Sequence, residues 1–270
     1  MVRRGLSCTE AWQCPTRLEE AMIQQAMGGA DSSDKKVFSL AIETSGTMGS
    51  VAIGCDATIL AGQSFATPKR HASDLMPTID ALCRAHSVFP TAIDQVFVSI
   101  GPGSFTGLRI AVTVARMMAL AVGSRIVAVP TLETVAQNAL CMDPTPDSAV
   151  AVLDAKRGRV YAAAFVRRMD RFEPVTQPAE VDLRVFLSGQ PEDCVVLGEG
   201  VAKHIFAIQS LGRAILPESF HAARAEVVYR LGQLRAEQGQ FDDARSLVPL
   251  YVRLPESEEK WARQNTVPAP

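Results

Sequence analysis

The 270-residue chain is 47% hydrophobic and 21% charged, and its 27 lysines and arginines against 29 acidic residues leave a formal net charge of −2. This length supplies one large or two small cored domains, and the composition excludes a chain disordered throughout. The balanced charge excludes a chain-wide attraction to nucleic acid and leaves only a local basic patch open.

Residues 1–36 mix Arg3, Arg4, Glu10, Glu19 and Glu20 with the glycine pair Gly28 and Gly29 and a polar run at 31–36. They read as an appendage with a short helix over 16–27, joined by a flexible linker. No continuous apolar segment follows Met1, so no secretory signal is read here, and Met22 and Met27 leave a later translation start open. The folded part opens at 37–42, which runs apolar as a buried strand does, and passes through Glu43, Thr44, Ser45, Gly46 and Thr47 into strands at 50–54 and 59–65. Small hydroxylated residues beside Gly46 suit either an ordinary polar turn or one that faces phosphate. A helix follows over 68–86, with Leu75, Ile79 and Leu82 on one face and Met76 and Cys83 beside them. A metal-binding histidine pair on a helix needs a second ligand one turn after His71, and Leu75 stands there, so His71 reads as a surface or capping residue.

A strand at 94–100 runs into GPGSFTGLR at 101–109 and then into a helix. Gly101, Gly103 and Gly107 allow positive φ or a close backbone approach, and Ser104 or Thr106 can cap the helix whose first N–H groups also suit an anion. The spacing matches neither the phosphate-loop pattern, which closes on Gly-Lys-Ser/Thr, nor Gly-x-Gly-x-x-Gly. From 108 to 122 the helix is apolar nearly all round, with only Arg109, Thr113 and Arg116 polar. Such a helix is buried on every side, or lays one face on its own sheet and the other on a partner. Met117 and Met118 suit an interface, although methionines at helical spacing also fill cores. Because Arg109 and Arg116 interrupt it, this run does not read as a membrane span.

A strand at 126–129 leads to a helix from Thr131, the expected cap, to about 140. Pro144 and Pro146 mark a linker and a domain boundary at 143–148. Strands at 149–153 and 160–165 flank the basic turn of Lys156, Arg157 and Arg159, which suits phosphate or simple solvation. This hairpin echoes the one at 40–53, which suggests two similar halves. A strand at 194–197 ending in Gly198, Glu199 and Gly200, a helix over 222–238, and PLYVR at 249–253 precede a charged tail that reads as mobile. The six cysteines are dispersed without a Cys-x-x-Cys pair, so free thiols are read in place of a zinc site or a disulfide framework.

Five segments taken in order, LAIETSG at 40–46, HASDLMPTID at 71–80, GPGSFTGLR at 101–109, LDAKRGRVY at 153–161 and PLYVR at 249–253, resemble TsaB, the bacterial threonylcarbamoyladenosine biosynthesis protein B family. The resemblance implies an α/β fold of two actin-like, sugar-kinase-like halves, each a mixed sheet with helices. The first half would span 37–143 and the second, more divergent one 148–256, between an extension at 1–36 that the family usually lacks and a tail at 257–270. It also implies a non-catalytic, activating subunit that pairs with its metal-binding paralogue TsaD in forming N6-threonylcarbamoyladenosine on tRNA. His71 matches the first histidine of the paralogue's His-x-x-x-His motif and Leu75 replaces the second, so no catalytic or metal-binding residue is assigned. The family's partner surface maps onto His71, Leu75, Met76, Ile79, Leu82, Leu108, Ala111, Val114, Ala115 and Met118. Leu75→Asp or Val114→Asp is then expected to abolish pairing and leave a folded monomer. Glu43, Thr44, Ser45, Gly101, Gly103 and Ser104 would line the turns that face nucleotide or phosphate, without a metal pair, and ATP enters only in the complex. A TsaE-like ATPase, a homodimer through the same helices, indirect contact with tRNA, no membrane contact and a cytoplasmic location complete the expectation. The alternative is a free-standing nucleotide-dependent transferase or metallopeptidase-like enzyme, and a peptidase would need a metal or nucleophile set that the sequence does not display.

Overall fold

The computed structural model describes residues 36–65 and 71–252. The expected helix at 16–27 and tail at 257–270 lie outside the described residues, as do Cys8 and Cys14.

The first sheet begins as an antiparallel meander of β1 (Phe38–Glu43), β2 (Gly49–Cys55) and β3 (Thr58–Phe65). Helix α1 (His71–Ala85) carries the chain across to β4 (Ile93–Gly101), parallel to β1, and α2 (Phe105–Val122) carries it on to the parallel β5 (Arg125–Pro130). The order is β3-β2-β1-β4-β5. Central strands covered on both faces read as continuous apolar runs, which is why Leu40, Ala41 and Ile42 are all fully buried, whereas the edge strand β3 is mostly exposed or half-buried. On one face Leu75, Ile79 and Leu82 of α1 and Ala111, Val112 and Ala115 of α2 pack on Leu40, Ile42, Val51, Ile53, Val96 and Val98. Alanines at the α2 contact leave no bulk between helix and sheet.

The chain then enters α3 (Thr131–Gln137) and a short 3-10 turn, Asn138–Cys141. Thr131 is not the cap expected of it. Pro130 holds that position, and the Thr131 hydroxyl is engaged with Ser99 Oγ at 2.8 Å. The second sheet repeats the first. An antiparallel meander of β6 (Ser148–Lys156), β7 (Arg159–Arg168) and β8 (Arg171–Pro174) is extended by two parallel strands, β10 (Val195–Leu197) and β11 (Ala214–Ile215), while β9 (Ala179–Val181) pairs with β7. The order β8-β7-β6-β10-β11 reproduces that of the first sheet, so the sequence echo between the two hairpins reflects a duplicated α/β architecture of the actin-like kind. Between these strands lie α4 (Leu183–Ser188) and α5 (Val201–Ser210), which pack on Val150, Val152, Val160 and Ala162.

Helix α6 (Ala225–Glu237) follows the second sheet in sequence yet packs across β1, β2, β4 and β5 of the first. A cut at 143–148 therefore separates the sheets but not the packing. α3 touches β4 and β5 on one side and β6, β7 and β8 on the other, and also touches α6, so these two helices fill the middle layer. Tyr229 of α6 is fully buried, stacks edge-on against Phe97 at 5.4 Å and donates its hydroxyl to Asp56 O at 2.8 Å. Burial pushes its phenol pKa well above the ordinary value of 10.0. Arg235 pairs with Glu133 of α3 at 2.5 Å and donates to Ala128 O. Beyond α6, Asp242 bonds to one edge of β5, donating from its N to Ile126 O and accepting from Ala128 N, and Leu250 N donates to Ile100 O at 2.7 Å, laying the end of the described chain beside the glycine turn.

By length and composition α2 alone among the described helices is long and apolar enough to cross a membrane, its two arginines notwithstanding. One side of it lies in the core of the first half. Of the four described cysteines, Cys83 and Cys194 are buried free thiols, and Cys55 Sγ donates to Asp56 Oδ2 at 3.4 Å.

A Cβ at Gly232 would stand 2.2 Å from Phe97 Cγ, so α6 can approach β4 this closely only because position 232 has no side chain. Alanine there is a better helix former by about 1 kcal/mol, but overpacking a tight core contact costs about 1–3 kcal/mol. Gly232→Ala is expected to lower the unfolding free energy in urea titrations, against its helix propensity; a stabilised variant would mean that α6 is seated more loosely.

Candidate functional site

The two turns singled out as phosphate-facing meet each other. Ser104 N donates to Ser45 O at 2.7 Å, and Thr44 Oγ1 donates to Gly107 O at 2.8 Å. A Cβ at Gly107 would fall 2.0 Å from Thr44 O, so only glycine admits the approach. Gly101 has φ +113, as the turn geometry requires, and Ser104 caps α2 by accepting from Gly107 N. Glu43, Thr44, Ser45, Gly101, Gly103 and Ser104 therefore form one cluster at the ends of β1 and β4.

Carboxylates already occupy the donors of this cluster. Ser45 N and Ser45 Oγ both donate to Glu43 Oε1 at 2.5 Å. Thr47 N, at the far side of the turn, donates to both oxygens of Glu199 at 3.1 Å, and Thr47 Oγ1 donates to Glu199 Oε2 at 3.0 Å. Glu199 comes from the turn between β10 and α5, across the two halves, and Gly46 makes room for it, since a Cβ there would lie 2.7 Å from its Oε1. Sequence reasoning passed over Glu199 as a strand end. Its signal was the repeated Gly-x-Gly after a strand: Gly198, at φ +115, occupies in the second half the position of Gly101 in the first. Glu43 is fully buried with Oε2 unpartnered. Burial pushes its carboxyl above the ordinary 4.5, the hydroxyls of Ser45 and Ser99 offset part of this, and the charge of Glu199 adds to it. In the basic turn after β6, Arg159 is engaged within the chain, donating to Glu180 O at 2.9 Å.

The ten positions expected on a partner surface divide by helix face. Leu75, Ile79, Leu82, Leu108, Ala111 and Ala115 are buried in the chain's own core, Val114 and Met118 are half-buried at its margin, and Met76 is 52% exposed. His71 opens α1, and its side chain lies outside the described residues. The buried six set the seating of α1 and α2 and cannot at once touch a partner, because the helix stripe at i, i+4 and i+7 can face only one way. The outward stripe of α2 is instead Thr106, Arg109, Thr113, Met117 and Leu120, with Met117 62% and Leu120 74% exposed and Phe105 at its start 40% exposed. Apolar composition all round signalled two burial surfaces, but composition alone does not say which residues belong to which. The expected outcome for Leu75→Asp is corrected accordingly: a charge at a fully buried position attacks the fold before any interface.

A protein-family model described as TsaD, tRNA N6-adenosine threonylcarbamoyltransferase, matches residues 65–258. The tRNA threonylcarbamoyladenosine biosynthesis protein TsaB of Bacillus subtilis (strain 168) is 29% identical over 227 residues, covering 82% of this chain and 96% of that protein. The protein of the same description from Escherichia coli (strain K12) is 33% identical over 128 residues, covering 47% of this chain and 54% of that protein. In fold, the chain is similar to the solved structure of YeaZ from Pseudomonas aeruginosa, with a TM-score of 0.71 and 24% identity over 80% of this chain and 99% of that one.

The raised pKa of Glu43 carries a sign. The folded state holds this proton to higher pH than the unfolded state does, so the associated stability is fully present below pH 4.5 and is lost as pH rises through the folded pKa. Glu43→Gln keeps an acceptor for Ser45 and removes the titration. The stability of this variant relative to the parent chain, from urea titrations, is expected to rise between pH 4.5 and neutrality; parallel pH profiles would show that Glu43 ionises in the folded state as it does in water.

Proposed function

The chain belongs to the TsaD family of tRNA N6-adenosine threonylcarbamoyltransferases, in the branch whose members are named TsaB, and we propose that it is the non-catalytic, activating subunit of a complex that forms N6-threonylcarbamoyladenosine on tRNA. In this reading it pairs with a TsaD-like catalytic subunit through the outer faces of α1 and α2.

The observation that carries the reading is the outward stripe of α2. Scattered surface apolar side chains are ordinary, but Phe105, Met117 and Leu120 follow one side of one helix whose other side is already in the core. A partner helix laid along them would remove the remaining apolar surface from water. The cleft supports the same reading, because its turn N–H groups are already held by Glu43 and Glu199 and so do not stand ready for the phosphate of a nucleotide. A TsaE-like ATPase joins the assembly, tRNA is met mainly through the complex, and in the absence of the catalytic subunit the same face supports a homodimer. The setting of such tRNA work is the cytoplasm.

The test is threonylcarbamoyl transfer to tRNA by each subunit alone and by both. Activity that needs the catalytic subunit and rises with this chain supports the reading, and transfer by this chain alone overturns it. At the interface, Leu120→Asp and Met117→Asp are expected to weaken the complex by about 30-fold or more, the cost of roughly 2 kcal/mol at a central apolar contact, with unchanged thermal unfolding. Leu75→Asp is expected to fail to fold. Unaltered affinity for both exposed variants in calorimetric titration would move the interface away from α2.

A further inference from the structure

Resting on the pairing reading above, we propose that Arg109 is the charged anchor of the α2 face and selects a catalytic-subunit helix that presents a carboxylate beside an apolar stripe.

Arg109 is held in place before any partner arrives. Its guanidinium carbon lies 4.0 Å from the centre of the Phe105 ring, its Nε donates to Tyr251 Oη at 3.0 Å, and the Phe105 and Tyr251 rings are 5.6 Å apart. Tyr251 is itself positioned by the adjoining backbone bond from Leu250 N to Ile100 O. The GPGSFTGLR and PLYVR segments thus meet at one point and build one feature. A guanidinium has five N–H donors, and the bond from Nε to Tyr251 Oη uses one of them.

No described carboxylate reaches it. Other arginines on the surface of the molecule have acids, as Arg84 has Asp80, Arg167 has Asp147 and Arg171 has Glu173. Helix α2 carries Arg109 and Arg116 and no acidic residue, so its exposed face is positive within an apolar surround. Along it runs an open groove lined by Phe105, Thr106, Arg109, Ile110, Thr113 and Val114. An ion pair formed there, partly withdrawn from water and with one partner already oriented, contributes more to specificity than a flexible surface pair does. The occupant that satisfies both the groove and the free donors is a helix of mixed character: apolar at i, i+3 and i+4, with one Asp or Glu opposite Arg109.

The test uses the full chain and the purified catalytic subunit, with affinity measured over a range of salt. Arg109→Glu is expected to weaken binding by about 100-fold, and Arg109→Met by about 10-fold with a flatter salt dependence. Tyr251→Phe, which keeps the charge and frees the guanidinium, is expected to cost a few-fold and to leave the salt dependence intact. Reversing one acidic residue of the catalytic subunit's docking helix to Arg should restore binding to Arg109→Glu, which a merely structural role for Arg109 would not allow. If Leu120→Asp breaks the complex while Arg109→Glu changes neither affinity nor salt dependence, the anchor is wrong and the pairing stands. If Leu120→Asp is also without effect, pairing through α2 fails first. Loss of the salt dependence on deleting residues 253–270, which include Glu256, Glu258 and Glu259, would place the carboxylate in this chain and overturn the proposal.

Discussion

The backbone contact between the turn after β1 and the first turn of α2 governs the first half of the molecule. Thr44 O stands where a side chain on Gly107 would begin, and two hydrogen bonds, from Ser104 N to Ser45 O and from Thr44 Oγ1 to Gly107 O, tie helix start to strand end. A helix turns through 3.6 residues, so anchoring its first turn decides which way every later residue looks. Ala111 and Ala115 accordingly turn into the core that α2 shares with β4, and Met117 and Leu120 are left facing outward. The face proposed for docking is thus set by a contact at the helix's first turn.

The same contact shapes the cleft. Drawing the two turns together buries Glu43, and Ser45 gives it the N–H and the hydroxyl that a phosphate would otherwise use. Glu199 reaches across from the other half and takes Thr47 N and its hydroxyl. Internal carboxylates thus hold the donors of both turns, and the face proposed for docking lies apart from them on the outer helices. This division accounts for a two-sheet fold in which polar residues of the turns serve cohesion while apolar residues of the surface remain unsatisfied.

Duplication explains what composition could not. Both sheets have the same strand order, and Gly101 and Gly198 adopt φ +113 and +115 at matching strand ends. Yet the halves are not independent, because α6 follows the second sheet and fills the middle layer against the first, with Gly232 on Phe97 and Tyr229 reaching Asp56. Removing the C-terminal segment would uncover the inner face of the first sheet.

By itself the sequence determined the strands of both hairpins, the glycine turn with a hydroxyl cap from Ser104 or Thr106, the all-round apolar helix and the doubling of the fold. These are local: they follow from side-chain periodicity, from φ limits at glycine and from a hydroxyl three residues before a free N–H. The short elements β8, β9, β11, α4 and α5 escaped, since two to ten residues hold too few periods to be read. Tertiary structure alone decided that Leu75, Ile79, Leu82, Leu108, Ala111 and Ala115 face inward, that Glu199 closes the turn at Thr47, and that Tyr251 orients Arg109. The last two join residues 152 and 142 positions apart, and the inward facing depends on which side of each helix the sheet covers. Local propensity carries no information on either, because both are fixed only when distant strands and helices pack.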